Sequence, residues 1–142
     1  MVKWGMAINR TPHAVYHIQY HFVWRPKYRK GLLTSVRRAY LLHLLECIAE
    51  EYELKVVEVE VMPDHVHLFV AGPPRYSPAK LMQAIKSITA REMFRKFPEL
   101  RQKLWAGEFW GPGYYVGTVG DQVTTEMVKR YIRQQLDDTT SF

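Results

Sequence analysis

The stretch LKVVEVEVMPDHVHLFV, residues 54–70, decides how this chain folds. Its two halves, residues 54–61 and 65–70, are rich in β-branched side chains and alternate between faces, which is the period of a half-buried strand. The Met-Pro-Asp triplet at 62–64 lies between them and is typical of a tight reversal. The sequence therefore predicts a β-hairpin in the middle of the chain.

A strand and a helix are predicted before this hairpin. Residues 14–24 (AVYHIQYHFVW) alternate, which places large apolar side chains on one face and two histidines with a glutamine on the other. The basic segment 25–33 contains a proline and a glycine, which favour a loop. Leucines and an isoleucine recur at helical spacing over residues 34–52, so we expect an amphipathic helix there.

A second helix, a strand and a third helix are predicted after the hairpin. Ser77 and Pro78 supply a cap and a first-turn proline for a helix with one basic side. Residues 114–119 (YYVGTV) predict a strand, and Thr124 begins a last helix over residues 124–138. The order βαββαβ predicts an α+β, ferredoxin-like or RRM-like fold. The first and third strands would be central neighbours of its antiparallel sheet, and the C-terminal helix would carry a tyrosine.

Composition predicts one globular domain over residues 1–142, because 47% of the residues are apolar and 24% are charged. Residues 1–11 are expected to be a mobile lead. No apolar run reaches the length of a membrane span or signal peptide, so we expect a cytoplasmic protein with no membrane partner. The single cysteine, Cys47, excludes an intramolecular disulfide, and its apolar surroundings in the sequence predict a buried packing role. The net charge of +6 favours an anionic partner such as nucleic acid.

A pair of histidines in the second hairpin strand could begin a metal site. His65 and His67 flank Val66, so strand alternation projects both imidazoles from the same face. Random placement of 6 histidines gives roughly 0.25 such pairs per chain, so spacing alone leaves two interpretations open. One is a divalent-metal site, and the other is a sheet face with incidental histidines.

The last predicted helix carries a tyrosine and a glutamine on one face. Tyr131 and Gln135 are four residues apart. A phenol with a pKa of about 10 is a poor nucleophile, yet it can attack phosphorus beside a metal-bound phosphate. The amide oxygen of Gln135 would suit Mg²⁺ or Mn²⁺. The alternative is a half-buried tyrosine beside a glutamine that faces solvent.

The chain resembles the single-tyrosine HUH transposases of the insertion sequence 200/605 family. The similarity rests on MPDHVHLFV and, about 60 residues later, MVKRYIRQQ, with YHFVWRPKYR and YYVGTVG in the same order, or residues 13–136 together. This resemblance implies that His65 and His67 are metal ligands, that Gln135 is the third protein ligand, and that Tyr131 is the nucleophile. Enzymes of this kind cut single-stranded DNA, hold its 5′ phosphate on tyrosine, and rejoin strands when a 3′ hydroxyl reverses the attack.

The resemblance also implies particular partners. Such transposases recognise DNA hairpins near the ends of their element, and they form homodimers in which the tyrosine helix of one subunit reaches the histidines of the other. The divalent cofactor is expected to be Mg²⁺ or Mn²⁺. The basic side chains expected to contact DNA are Lys27, Arg29, Lys30, Lys86, Arg91, Lys129, Arg130 and Arg133.

Three other functions remain open from the sequence. A repeat-associated, domesticated tyrosine transposase would keep the same histidines and tyrosine. A metal-dependent hydrolase would use water as its nucleophile and would not need Tyr131. A non-catalytic RRM-like module would bind nucleic acid through sheet aromatics, whereas the predicted open face here carries histidines, which favours chemistry.

Overall fold

The computed structural model describes residues 9–11, 14–27, 32–103 and 108–118. The predicted tyrosine helix, residues 124–138, lies outside these ranges. Within them the elements, in chain order, are β1 (Asn9–Thr11), β2 (Ala14–Tyr16), β3 (Gln19–Trp24), α1 (Ser35–Glu51), β4 (Lys55–Met62), β5 (His65–Ala71), α2 (Pro78–Lys96), α3 (Leu100–Lys103) and β6 (Tyr115–Thr118).

The main sheet has four antiparallel strands in the order β4-β5-β3-β6. Strands β3 and β5 are its central neighbours, and they correspond to the first and third strands of the predicted βαββαβ order. The hairpin β4–β5 turns at Pro63 and Asp64, within the predicted reversal at 62–64, and Met62 is the last residue of β4. The α+β, ferredoxin-like fold class is therefore confirmed.

One face of this sheet forms the hydrophobic core. Residues that lie opposite each other on antiparallel strands share a face, and Phe22 lies opposite Leu68 while Trp24 lies opposite Val66. All four are buried in a single cluster with apolar side chains of α1 and α2, among them Leu41, Leu44, Leu45, Ile48, Leu81, Met82 and Ile85. The two helices thus cover the core face, and the other face is left for the histidines.

Both long helices begin where the sequence predicts. Thr34 is the N-cap of α1 and Tyr52 is its C-cap, in agreement with the predicted range 34–52. Before α2, the Ser77 hydroxyl accepts a hydrogen bond from the backbone N–H of Lys80 at 3.1 Å, and Pro78 follows in the first turn. A capping oxygen satisfies one of the free N–H groups at a helix start, which explains why this boundary is readable from sequence.

The predicted strand over residues 14–24 is divided in two. Ala14–Tyr16 pair with Asn9–Thr11, part of the predicted mobile lead, in a separate two-stranded sheet. The main-sheet strand begins at Gln19, opposite Ala71. Beyond Ala71 the backbone N–H of Gly72 bonds to Ile18, and two prolines follow, so β5 offers no further donors to extend β3.

Cys47 is exposed, so the prediction of a buried packing role is wrong. The buried stripe of α1 runs through Leu44 and Ile48, and position 47 lies beside Glu46, away from that stripe. The Cys47 sulfur lies 3.7 Å from Nε2 of His43, one helical turn earlier.

The segment before β6 is fastened to α2 by side-chain hydrogen bonds. The Lys86 ammonium donates to the carbonyl oxygens of Gly111 and Gly113 at 2.8 and 3.2 Å. Desolvation lowers the pKa of Lys86 from its ordinary value. The buried indole N–H of Trp110 donates to the Thr89 hydroxyl at 2.8 Å. Gly113 has a φ of 80°, a left-handed conformation that glycine adopts without steric cost. These contacts hold residues 110–113 against α2, and the strand that follows, β6, pairs with β3.

Replacing Thr89 by valine is expected to lower the free energy of unfolding by about 1–3 kcal/mol. The substitution keeps the side-chain shape but leaves the buried Trp110 N–H without its acceptor. Urea unfolding followed by circular dichroism measures the change. Ser87→Ala is the control, because Ser87 is exposed on the same helix, and it should change stability by no more than about 0.5 kcal/mol. Equal effects of the two substitutions would contradict the assignment.

Candidate metal and nucleic-acid site

Histidines and glutamates share the sheet face opposite the helices. On β5, His65 and His67 are two residues apart and project from the same face, as their spacing predicts. Strand β4 places Glu60 opposite His67 and Glu58 opposite Phe69. On the other side, β3 places Val23 opposite His67, and its His21 lies opposite Phe69. The register thus gathers polar side chains of three strands on one face.

His65 is oriented by its neighbour in the turn. Nδ1 of His65 lies 3.0 Å from a carboxylate oxygen of Asp64, and the imidazole is half-buried. A carboxylate that accepts the Nδ1–H of a histidine fixes the tautomer and leaves Nε2 as the nitrogen with a lone pair. A cation that binds His65 would therefore contact Nε2.

His67 lies at the centre of a group that could hold a metal ion. One ring nitrogen of His67 and one carboxylate oxygen each from Glu58 and Glu60 all lie within 4.8 Å of one another. His67 is 3% exposed, whereas both glutamates are half-buried. Imidazole nitrogen and carboxylate oxygen are both ligands of divalent first-row metals, and the oxygens also suit Mg²⁺. This donor set fits the predicted divalent cofactor.

The ring of His21 packs against the ring of His67. Its ring centre lies 5.6 Å from that of His67 and 4.3 Å from that of Phe69, edge-on in both cases. Burial, and secondarily the charge of His67, lower the pKa of His21 to about 4. Nε2 of His21 is buried and has no hydrogen-bond partner within the described ranges. The folded protein therefore stabilises the uncharged form of His21.

Acidification is expected to destabilise the fold through His21. Its pKa is about 4 in the folded chain against 6.5 ordinarily, so folding favours the neutral ring. This contribution is complete above pH 6.5 and is lost as the pH falls towards 4, by about 3 kcal/mol. Urea unfolding in metal-free buffer across this interval measures the loss. His21→Leu should lose less stability over the same interval, and an identical pH dependence in both proteins would contradict the assignment.

Several predicted site residues lie outside the described residues. These are Tyr131, Gln135, Arg29, Lys30, Lys129, Arg130 and Arg133. Of the remaining basic residues, Lys27 contacts the Glu108 carboxylate at 2.6 Å, and exposed Arg91 contacts Glu92 at 3.3 Å. Lys86 is half-buried in the contacts with Gly111 and Gly113, a structural role that the sequence did not reveal. Their binding of DNA stays a prediction.

The two glutamates on β4 were missed in the sequence. They alternate along the strand, and the hairpin reverses over only two residues. Counting back from that turn pairs Met62 with His65 and then Glu60 with His67. The register of a tight hairpin was therefore the signal that could have found them.

Comparisons with known proteins agree on one family. The family model described as "Transposase IS200 like" matches residues 14–135. The ISDra2 transposase TnpA of Deinococcus radiodurans is 38% identical over 123 residues, or 87% of each chain. The transposase of insertion sequence element IS200 from Salmonella typhimurium is 31% identical over 126 residues, which cover 89% of this chain and 82% of the relative.

Solved structures show the same fold. A crystal structure described as that of a transposase from Deinococcus radiodurans R1 superposes with a TM-score of 0.76 at 36% identity, and the match covers 89% of this chain and 97% of the other. A REP-associated tyrosine transposase bound to a REP hairpin superposes with a TM-score of 0.55 at 15% identity, over 87% and 68% of the two chains. Within the described ranges, no helix is both long and apolar enough to cross a membrane.

Proposed function

Because this chain belongs to the IS200-like transposase family, we propose that it cuts and rejoins single-stranded DNA at the ends of an insertion sequence, with Tyr131 as the nucleophile. The observation that supports this chemistry is the position of His65 and His67 on one face of a central strand, with carboxylates beside them. This arrangement is suited to holding a divalent ion against a phosphate, as HUH enzymes require.

Each residue has a distinct part in the proposed reaction. His65, whose Nδ1 contacts Asp64, and His67 would hold Mg²⁺ or Mn²⁺ together with the amide oxygen of Gln135. When bound, the ion polarises the scissile phosphate and neutralises its developing charge. The Tyr131 hydroxyl loses its proton and its oxygen attacks phosphorus in line, while the 3′ oxygen leaves and takes up a proton.

The covalent product conserves the energy of the broken bond. One phosphodiester is exchanged for one phosphotyrosyl ester, so the number of ester bonds at phosphorus is unchanged. A free 3′ hydroxyl can then attack the same phosphorus and release Tyr131, which rejoins two DNA strands. The cycle therefore needs no ATP, and the role of the protein is to position the reacting groups.

The proposed DNA partner is a single strand with a hairpin near each end of the element. Lys27 and Arg91 are two of the predicted contacts that lie within the described ranges. We also propose a homodimer, acting in the cytoplasm, in which the tyrosine helix of one subunit serves the histidines of its partner. Exchange of a terminal helix is a simple route to a symmetric dimer.

The described sheet face supports an enzyme more than a binding module. An RRM-like module stacks bases on exposed aromatic rings of its sheet. Here the corresponding strands carry His21, His67, Glu58 and Glu60, and carboxylates repel a phosphate backbone unless a cation lies between them. The relatives at 31–38% identity are insertion-sequence transposases, which favours that function over a repeat-associated one.

The proposal is tested by trapping the covalent complex. Single-stranded DNA from each flank of the gene, labelled at its 3′ end so that the label stays with the fragment joined to tyrosine, is incubated with the protein in Mn²⁺, in Mg²⁺ or in EDTA. The products are separated on a denaturing gel. We expect a labelled protein band in the presence of either metal and none in EDTA. Cleavage without any protein-linked label would instead identify a hydrolase that uses water.

A further inference from the structure

We infer that Glu60 is a ligand of the same divalent ion as His67, with Glu58 as a second carboxylate that faces the ion. The inference rests on the proposed function, because it concerns the metal that this function requires. It goes beyond that function because it adds two carboxylate ligands from β4 to the metal site, and β4 carries neither the histidines nor the tyrosine.

The hairpin register is the first support for Glu60. Glu60 lies directly opposite His67 in the β4–β5 ladder, so both side chains leave the sheet from neighbouring points on the same face. Side chains in such pairs have β-carbons about 4.5–5.5 Å apart. The tight turn at Pro63 and Asp64 fixes this register, because a slip by one residue would turn every β4 side chain to the other face.

The spacing of the donor atoms is the second support. Three atoms that lie within 4.8 Å of one another, one from each of Glu58, Glu60 and His67, leave room for one cation between them. The two carboxylates repel each other at this distance, and the repulsion is strengthened where the surface is partly buried. A divalent ion bound to both groups would turn that repulsion into attraction.

The charges around Glu60 point the same way. Within the described part of the chain, the exposed Glu46, Glu50 and Glu51 form no ion pair with a lysine or arginine, and Glu60 forms none either. Its carboxylate is half-buried on a face shared with a histidine that is 3% exposed. A negative charge in that position is best stabilised by a bound cation.

A carboxylate side also gives the site a preference among metals. Oxygen ligands favour hard ions such as Mg²⁺ and Mn²⁺, and an open pair of imidazoles alone would favour softer ions such as Zn²⁺ or Cu²⁺. Two carboxylates also cancel the charge of a divalent ion, so the loaded site would be close to neutral before DNA arrives.

The test measures metal binding directly and without DNA. Mn²⁺ is titrated into the full-length protein, and the concentration of free Mn²⁺ is measured from its electron paramagnetic resonance signal. Compared with wild type, we expect Glu60→Gln to raise the Kd for Mn²⁺ by at least about tenfold. Glu58→Gln is expected to raise it by a smaller factor. Glu46→Gln, which removes the same charge from an exposed position on α1, should leave the Kd unchanged.

A fourth variant, His67→Ala, separates the two proposals. If His67→Ala abolishes binding while Glu60→Gln binds Mn²⁺ as wild type does, the role of Glu60 is refuted and the proposed function stands. If Glu60→Gln weakens binding and His67→Ala does not, the two residues do not share an ion, and the inference is again refuted. A wild-type protein that binds no Mn²⁺ would overturn both proposals. Circular dichroism of each variant confirms that it is folded.

Discussion

Tyr131→Phe is expected to abolish strand cleavage and the covalent protein–DNA complex while single-stranded DNA binding stays close to wild type. The substitution removes one hydroxyl and keeps the aromatic ring, so contacts that need only the ring persist. Loss of a nucleophile that acts directly on the scissile bond typically lowers turnover by ~10³-fold or more. We therefore expect the cleavage rate to fall at least that far, with the Kd for DNA changed by less than about twofold.

The matched control for this prediction is Tyr76→Phe. Tyr76 is half-buried against the ring of Tyr52, and both pack on the core side of the sheet, opposite the face that carries His65 and His67. The substitution removes the same atom, the phenol oxygen. Cleavage assays on denaturing gels and fluorescence anisotropy with labelled DNA give the two quantities. A protein-linked band of normal intensity from Tyr131→Phe would remove Tyr131 from the mechanism.

His67→Ala is expected to abolish metal-dependent cleavage, with a loss of about 10²-fold or more, and His65→Ala is expected to do the same. Each substitution removes an imidazole proposed to hold the ion that polarises the scissile phosphate. His67 is 3% exposed, so its truncation also leaves a cavity and costs some stability. His67→Leu, which fills more of that space and has no ligand atom, separates the loss of a ligand from the loss of packing.

The control for the histidine variants is His43→Ala. His43 is exposed on α1, and the helix lies on the opposite side of the sheet from His67. Cleavage rates in saturating Mn²⁺, with urea unfolding of each variant, provide the comparison. Normal cleavage by either His65→Ala or His67→Ala would contradict the proposed metal site.

The elements that the sequence predicted correctly are those with local causes. The start of α2 depends on Ser77 and Pro78, which act within one helical turn. The hairpin depends on a two-residue reversal between runs of β-branched side chains. The shared face of His65 and His67 follows from strand alternation alone. None of these depends on a distant part of the chain.

The elements that were missed depend on distant partners. Alternation continues from Ala14 to Trp24, but β5 ends opposite Gln19, so pairing stops there and residues 14–16 pair elsewhere. Cys47 lies in an apolar stretch, yet the orientation of α1 on the sheet turns it outward. Glu58 and Glu60 look like solvent-facing residues until the hairpin register brings them to His67. Strand pairing and helix packing determine these features, and they cannot be predicted from composition or local pattern.

The proposed site also has one half that could be predicted from local pattern, the histidines, and one half that could not, Tyr131 and Gln135. The shared face of the histidine half could be predicted from a single strand, and its role in binding a metal stays a proposal. The tyrosine half, with Tyr131 and Gln135, lies outside the described residues, and its role rests on the family resemblance and on the chemistry of a phenol beside a metal-bound phosphate. The proposed function therefore depends above all on the claim that Tyr131 carries the DNA.

Peptide mapping of the covalent complex tests that claim most directly. After reaction with single-stranded DNA and Mn²⁺, nuclease trimming leaves a short nucleotide on the protein, and a protease specific for Glu and Asp releases residues 127–137, in which Tyr131 is the only one of the chain's 9 tyrosines. Mass spectrometry is predicted to find the nucleotide on this peptide at Tyr131. A nucleotide on any other tyrosine, or cleaved DNA with no modified peptide, would contradict the account.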